Sequence, residues 1–122
     1  MKKLLITLAI AASSMGAAHA QTFPTKPVTV IVPFAAGGGI DVLTRAIGAK
    51  LGARWGKPII VENKPGAGSL IGASDVARAP ADGYTLLATV NQTVVGNRFL
   101  YKNLPYDPVK DFATVGFMAR SP

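Results

Sequence analysis

A glycine-rich loop near the start of the chain has the composition of an anion-binding site. It reads PFAAGGGID, from Pro33 to Asp41, and it separates the apolar run Val28–Val32 from a helix-like run that begins at Val42. Glycine lets a ligand approach the main chain closely, and the N–H groups at the start of a helix attract negative charge. The loop therefore predicts an anion cradle, although a tight strand-to-helix turn would use glycines in the same way.

Asp41 places a negative charge beside this predicted anion site. Its simplest role is to stabilise the first turn of the following helix through the helix dipole. It could instead hold a bridging water or the ammonium group of a ligand.

Polar side chains follow two further predicted strands. Ser69 comes after the second strand, and Asn91, Gln92 and Thr93 come after the third. Each of these residues alone is typical of a cap or a turn, but their shared position at strand ends favours a common site. Asn91-Gln92-Thr93 also matches a glycosylation sequon, which we interpret as chance in a chain without cysteine.

Nucleotide phosphates are a weaker prediction than carboxylates for this site. The phosphate-binding pattern G-x-x-x-x-G-K-[ST] does not occur in the sequence. Gly66, Gly68 and Gly72 resemble a dinucleotide-binding motif, but they have one residue too many and lie in the second turn. The strand after them ends at Asn91, without an acidic residue for a ribose. A nucleotide-binding α/β enzyme domain is retained as the alternative.

The composition disfavours most catalytic chemistry. His19 is the only histidine and there is no cysteine, so once residues 1–20 are removed a serine triad, thiol catalysis, His or Cys metal sites and disulfides are all excluded. The sequence thus predicts no enzyme, no metal and no cofactor. Its basic residues are scattered and form no run, which disfavours nucleic-acid binding.

The N-terminus has the pattern of a secretory signal peptide. Lys2 and Lys3 precede the apolar stretch Leu4–Ala12, and Ala18-His19-Ala20 is a small-x-small cleavage site. We predict cleavage after Ala20, Gln21 as the new N-terminus, and a periplasmic location. Residues 21–122 are long enough for one small domain.

The remaining sequence repeats the order strand, loop, helix. The predicted strands cover 28–32, 59–62 and 84–90, and a short helix is predicted over 97–101. The first helix carries Leu43, Ala46, Ile47 and Leu51 on one face and is ended by Gly52 and Gly56-Lys57-Pro58; the second, LIGASDVARA, stops at Pro80. This order predicts an α/β fold with a parallel sheet and flanking helices, in which ligands bind at the carboxyl ends of the strands.

The C-terminal segment departs from that order. Pro105-Tyr106-Asp107-Pro108 is a turn cluster, and residues 112–119, FATVGFMA, predict one more strand. We assign residues 21–111 to the α/β domain and residues 112–122 to a strand that crosses toward a second domain.

Three blocks of the sequence resemble the tripartite tricarboxylate transporter receptor family, the periplasmic solute-binding proteins also called Bug proteins. They are KPVTVIVPFAAGGGIDVLTR, VENKPGAGSLIGASDVARAPADGYTLL and LPYDPVKDFATVG, and they occur in order between about Phe23 and Pro122. The resemblance implies a periplasmic-binding-protein-like fold, a small carboxylate as ligand, and membrane transporter subunits as partners. The ligands that it implies include di- and tricarboxylates, aromatic acids and acidic amino acids.

The resemblance also implies which residues bind the ligand. Matching positions in the first loop are Phe34, Ala35, Ala36, Gly37, Gly38, Gly39 and Asp41, and the same cleft would be lined by Ala67, Gly68 and Ser69 and by Asn91, Gln92 and Thr93.

The sequence departs from the family in two respects. Its first loop has Ala36 and three glycines where the family often has Pro-Gly-Gly, and the chain is much shorter than the family's two-domain proteins. Because a clamp needs two walls, we expect weak or no binding by these residues alone. A non-functional remnant of a truncated gene is a second alternative.

Overall fold

The computed structural model describes residues 22–120. The predicted signal peptide, its cleavage site and Gln21 lie outside this range. The strands are β1 (Val28–Val32), β2 (Ile59–Asn63) and β3 (Thr85–Leu87), and the helices are α1 (Gly39–Trp55), α2 (Leu70–Ala77) and α3 (Asn97–Leu100). A 3-10 turn, Ala67–Ser69, precedes α2, and a π-helical turn, Gln92–Gly96, precedes α3.

The three strands form one parallel sheet in the order β2-β1-β3. Val30 in the central strand pairs with Val61 on one side and Leu86 on the other. The central strand is the most deeply buried, and Val28 and Val32 are completely inaccessible, as a β-branched run in the middle of a parallel sheet should be. The predicted α/β fold with a parallel sheet is confirmed.

Helix α1 begins earlier than its sequence pattern predicts, and its buried face is shifted, although Leu43, Ile47 and Leu51 are half-buried. It starts at Gly39 and ends at Trp55, where Gly56 takes the left-handed conformation with φ 63°. Its buried residues are Asp41, Thr44 and Gly48, whereas Ala46 is exposed. A Cβ on Gly48 would lie 3.1 Å from the side chain of Ile59. The prediction of Ala46 on the core face is therefore wrong, because a small and partly polar face allows the helix to lie close to β2.

The second helix packs against β1 and β3. The crossover from β1 to β2 through α1 and the crossover from β2 to β3 through α2 run in opposite directions along the sheet, so right-handed connections place the two helices on opposite faces. A Cβ on Gly72 of α2 would lie 2.9 Å from the carbonyl oxygen of Lys64 and 2.9 Å from Cβ of Pro33. This glycine therefore allows α2 to meet the backbone of two strand ends.

The C-terminal part of the chain differs most from its prediction. The third strand is formed only over Thr85–Leu87, and the short helix ends one residue before its predicted end. The strand predicted over 112–119 is wrong for this structure, since the segment is irregular and leaves Val115 and Phe117 86% and 93% exposed. Its apolar residues satisfy the pattern of a strand, but within residues 22–120 no neighbouring strand supplies the ladder hydrogen bonds.

Within the same range no helix has both the length and the apolar character to cross a membrane.

Candidate functional site

The loops that follow the three strands meet at one edge of the sheet. The backbone N–H of Lys64 donates to the carbonyl of Val32 (2.9 Å), and that of Ala88 donates to Ile31 (2.9 Å), so the strand ends are joined to one another. A cavity of about 290 Å³ opens beside the first loop. It is lined by Phe34, Gly38, Gly39, Ile40, Asp41 and Val90. The prediction that the first and third loops share an edge is thus met by the geometry.

The first loop leaves the start of α1 without a side-chain cap. Gly37 has φ 83°, and Gly38 at the N-cap position is extended, with φ −71° and ψ 164°. A glycine N-cap has no side chain to accept from the first-turn amides, and those amides have no intrahelical partner. The N–H groups of Gly39 and Ile40 therefore begin a 17-residue helix beside the cavity, with no hydrogen-bond acceptor among residues 22–120.

The carboxylate of Asp41 is buried and points back into the protein. It accepts hydrogen bonds from the backbone N–H of Gly37 (2.8 Å), from Nε of Arg45 (3.0 Å) and from Nδ2 of Asn63 (3.0 Å). These bonds, that of Gly37 first, lower the pKa of Asp41 from 3.8 to about 2. The Arg45 guanidinium also balances the charge. Asp41 therefore organises the loop in addition to lying in the first turn of the helix.

Asn63, the last residue of β2, completes this arrangement. Its Nδ2 donates to the carbonyl of Phe34 (3.1 Å) as well as to Asp41, and its Oδ1 accepts from Arg45 (2.8 Å). Asn63 therefore holds Phe34 directly and Gly37 indirectly, through Asp41. Neither Arg45 nor Asn63 was predicted as a site residue from the sequence. The spacing of Asp41 and Arg45, four residues apart on a helix, was the available signal for the first.

The second loop has an unusual backbone. Ala67, Gly68 and Ser69 have φ values of 46°, 61° and 76°, in the left-handed region that costs free energy for residues other than glycine. Ser69 turns its side chain inward, where its Oγ lies 2.7 Å from Oγ1 of Thr93. The second and third loops are thus joined by two hydroxyl groups that the sequence analysis placed in one cleft.

A buried amide and a tyrosine hold these two loops together. Asn97 Nδ2 donates to the carbonyl of Gly68 (3.0 Å), and the Tyr106 hydroxyl donates to the carbonyl of Thr93 (2.6 Å). Asn97 is fully buried and Tyr106 is 5% exposed. Neither residue was predicted from the sequence, because each lies outside the strand-end loops and reaches them only in the folded chain.

The predicted site residues differ in what they present at this edge. The exposed residues are Ala35, Ala36, Gly37, Gly38, Gly39, Ala67, Gly68, Asn91 and Gln92, and Phe34 is half-buried. Asp41, Ser69 and Thr93 are buried, with side chains bonded inside the protein. Contact of any of these residues with a ligand stays a prediction.

The fold and these loops define a class of protein: a parallel α/β domain with its candidate site at the carboxyl ends of the strands. Residues 43–122 match the model of the tripartite tricarboxylate transporter family receptor. The chain belongs to this family, as its sequence blocks predict. It is a family of solute-binding receptors, which does not support the nucleotide-dependent enzyme.

Individual relatives agree with this assignment. A UPF0065 protein from the tcbD-tcbE intergenic region of Pseudomonas sp. (strain P51) is 40% identical over 118 residues, which are 96% of this chain and 34% of that protein. The periplasmic binding protein BugD is a structural neighbour with a TM-score of 0.66 and 40% identity, over 74% of this chain and 30% of BugD. The chain thus spans about a third of the length of these relatives.

Two further structural neighbours have a bound carboxylate. MatC from Rhodopseudomonas palustris, with bound malate, has a TM-score of 0.69 and 43% identity, over 74% of this chain and 31% of MatC. R. palustris Rpa4515, with adipate, has a TM-score of 0.68 and 40% identity, over 71% of this chain and 29% of that protein.

Proposed function

We propose that this chain supplies one wall of the carboxylate-binding cleft of a periplasmic receptor, which delivers its ligand to a tripartite tricarboxylate-type transporter in the membrane. Two related structures hold malate and adipate. These ligands share a small chain with a carboxylate at each end, so we place a dicarboxylate or a chemically related acid in this cleft. Export after cleavage at Ala20 is part of the same proposal.

The observation that carries this proposal is the uncapped start of α1. The amides of Gly39 and Ile40 have no acceptor within the helix and lie beside a cavity. Such amides, together with the positive end of the helix dipole, bind an anion without a charged side chain. The nearest negative charge, Asp41, is paired with Arg45 and engaged by Gly37, so it opposes an anion less than its position suggests.

The cleft would hold the ligand weakly if this wall acted alone. The chain spans about a third of the length of its relatives, and binding sites usually bury most of the surface of a small ligand, which a single wall does not do. We expect dissociation constants on the order of millimolar or weaker for the isolated chain. Tight binding of a carboxylate, measured by calorimetry, would contradict this expectation.

A pair of variants at Gly39 tests the cradle. Gly39→Pro removes one N–H group, and proline is well accommodated at the first position of a helix. The extended conformation of Gly38 is the one that a residue before proline prefers. Gly39→Ala keeps the N–H group, and its Cβ would meet no atom within 4 Å. The two variants therefore differ mainly in the one donor that the proposal assigns to the ligand.

The measurement is a titration of the ¹⁵N-labelled chain, residues 21–122, with malate and with adipate. We expect malate to shift the amide signals of Gly38, Gly39 and Ile40 in the unaltered chain. The Gly39→Ala variant should bind malate with the same affinity, and Gly39→Pro should bind it several-fold more weakly. Equal malate binding by Gly39→Ala and Gly39→Pro would show that the Gly39 N–H group does not bind the ligand. No response of the unaltered chain to either acid, at concentrations well above the expected millimolar dissociation constant, would sink the proposal.

A thermal-shift panel distinguishes a carboxylate receptor from the alternative function, a nucleotide-binding enzyme domain. Stabilisation by ATP or NAD, with none by di- and tricarboxylates, would favour the nucleotide-binding enzyme domain.

A further inference from the structure

Four buried or half-buried side chains form a continuous chain of hydrogen bonds across the second and third loops. Asn97 Nδ2 donates to Ser69 Oγ (3.4 Å), Ser69 Oγ lies 2.7 Å from Thr93 Oγ1, and Thr93 Oγ1 lies 2.6 Å from Thr89 Oγ1. The first three residues are buried, whereas Thr89 is only half-buried. The chain thus runs from the interior toward the accessible edge of the site.

The amide of Asn97 gives this chain a starting direction. Its orientation follows from the carbonyl of Gly68, 3.0 Å from Nδ2. In the opposite orientation Oδ1 would face that carbonyl, and two acceptors repel each other. The amino group, which can only donate, therefore faces Ser69 Oγ and Tyr106 Oη, each 3.4 Å from Nδ2.

The hydroxyl groups then follow in one order. If Ser69 accepts from Asn97, it can donate to Thr93, which in turn donates to Thr89. The reverse order would leave the hydrogen of Ser69, which is 4% exposed, without an acceptor among residues 22–120, and a buried donor without an acceptor is unfavourable. The favoured order leaves the Thr89 hydroxyl as the last donor, and the hydrogen bonds of residues 22–120 include no further acceptor for it.

Thr89 lies at the carboxyl end of β3, on the edge of the sheet where the three loops meet. It follows β3 by two residues and directly precedes Val90, which lines the cavity together with Gly38 and Gly39. Donation from Thr93 also polarises the Thr89 hydroxyl and strengthens it as a donor. A donor of this kind suits a carboxylate oxygen.

We propose that the Thr89 hydroxyl donates a hydrogen bond to a carboxylate of the ligand, and that Asn97, Ser69 and Thr93 fix its direction. This inference rests on the proposed carboxylate-binding function and adds to it a specific contact from the third strand. In the sequence, Thr89 stood within the predicted strand and was not among the candidate site residues.

The test compares malate binding by the unaltered chain and by two variants. Thr89→Val keeps the shape of the side chain and removes the hydroxyl, and Thr89→Ser keeps the hydroxyl. We expect the dissociation constant for malate, from amide shifts, to rise roughly ten-fold in Thr89→Val and to stay within about two-fold in Thr89→Ser. Amide signals of Ser69 and Thr93 without ligand show whether the loops keep their structure.

A second measurement needs no variant. A nuclear Overhauser effect between malate protons and the Thr89 methyl group in the unaltered chain would support the contact. Malate binding by the unaltered chain, with equal affinity in Thr89→Val and no such effect, would overturn this inference and leave the proposed function standing. Failure of the unaltered chain to bind malate or adipate would overturn both.

Discussion

The carboxylate of Asp41 accepts a hydrogen bond of 2.8 Å from the backbone N–H of Gly37, four residues earlier in the chain. Asp41 is the third residue of α1, and an acidic side chain at that position commonly reaches back to the N-cap amide. Here it reaches one residue further, to a glycine with φ 83°. The bond ties the glycine loop to the helix, and the amides of Gly39 and Ile40 have no acceptor among the residues that the structure describes.

Asp41→Asn should lower the stability of the domain. The substitution removes the charge that pairs with Arg45 and turns an acceptor for Asn63 into a group that is partly a donor. We expect the melting temperature to fall by about 5 °C or more, measured by circular dichroism. Glu62→Gln is the matched control, because Glu62 is exposed and its ion pair with Lys64 is long, at 4.0 Å. A similar loss in both variants would contradict the role of Asp41.

Acid should weaken the fold through the same residue. The folded pKa of Asp41, about 2, lies below its ordinary value of 3.8. A depressed pKa means that the stabilisation is fully present above about pH 4 and is lost as the pH falls toward 2. Urea unfolding at a series of pH values between about 5 and 2 should therefore show a shallower decline for Asp41→Asn than for the unaltered chain. Parallel declines would show that other carboxylates cause the acid effect.

Gly72→Ala should destabilise the domain by roughly 1–3 kcal/mol. The new Cβ would lie 2.9 Å from both the Lys64 carbonyl oxygen and Pro33 Cβ, and neither atom belongs to a flexible side chain. Urea unfolding measures the free energy, and Gly39→Ala is the control, since a Cβ there meets no atom within 4 Å. An unchanged midpoint in Gly72→Ala would show that α2 can shift away from the strand ends.

Asn97→Ala should cost roughly 2 kcal/mol of the free energy of unfolding. The substitution leaves the Gly68 carbonyl without its 3.0 Å donor and opens a space between the second and third loops. Asn103→Ala is the control, because Asn103 is exposed. Hydrogen exchange should quicken around Ser69 and Thr93 in Asn97→Ala alone. If both variants unfold at the same urea concentration, the buried amide does not hold these loops together.

Local patterns in the sequence were enough to predict the elements near the site. The β-branched run at Val28–Val32 predicts a buried strand, and the glycines after it predict the loop that precedes α1. The order of strands and helices then predicts a parallel sheet with its loops at one edge, because parallel strands need crossover connections. Local patterns failed for residues 112–119, which are irregular where a strand was predicted. A strand forms only where a neighbouring strand pairs with it, and a local pattern does not show whether that neighbour is there.

The sequence by itself determined the class of fold, the family and the glycine loop, because those follow from composition and from residues close together in the chain. Only the tertiary structure decided what Asp41, Asn63 and Asn97 do. Asn63 is 29 residues from Phe34, and Asn97 is 29 residues from Gly68. A side chain finds such partners only when the sheet and the helices have placed distant segments side by side, and no local pattern encodes that distance.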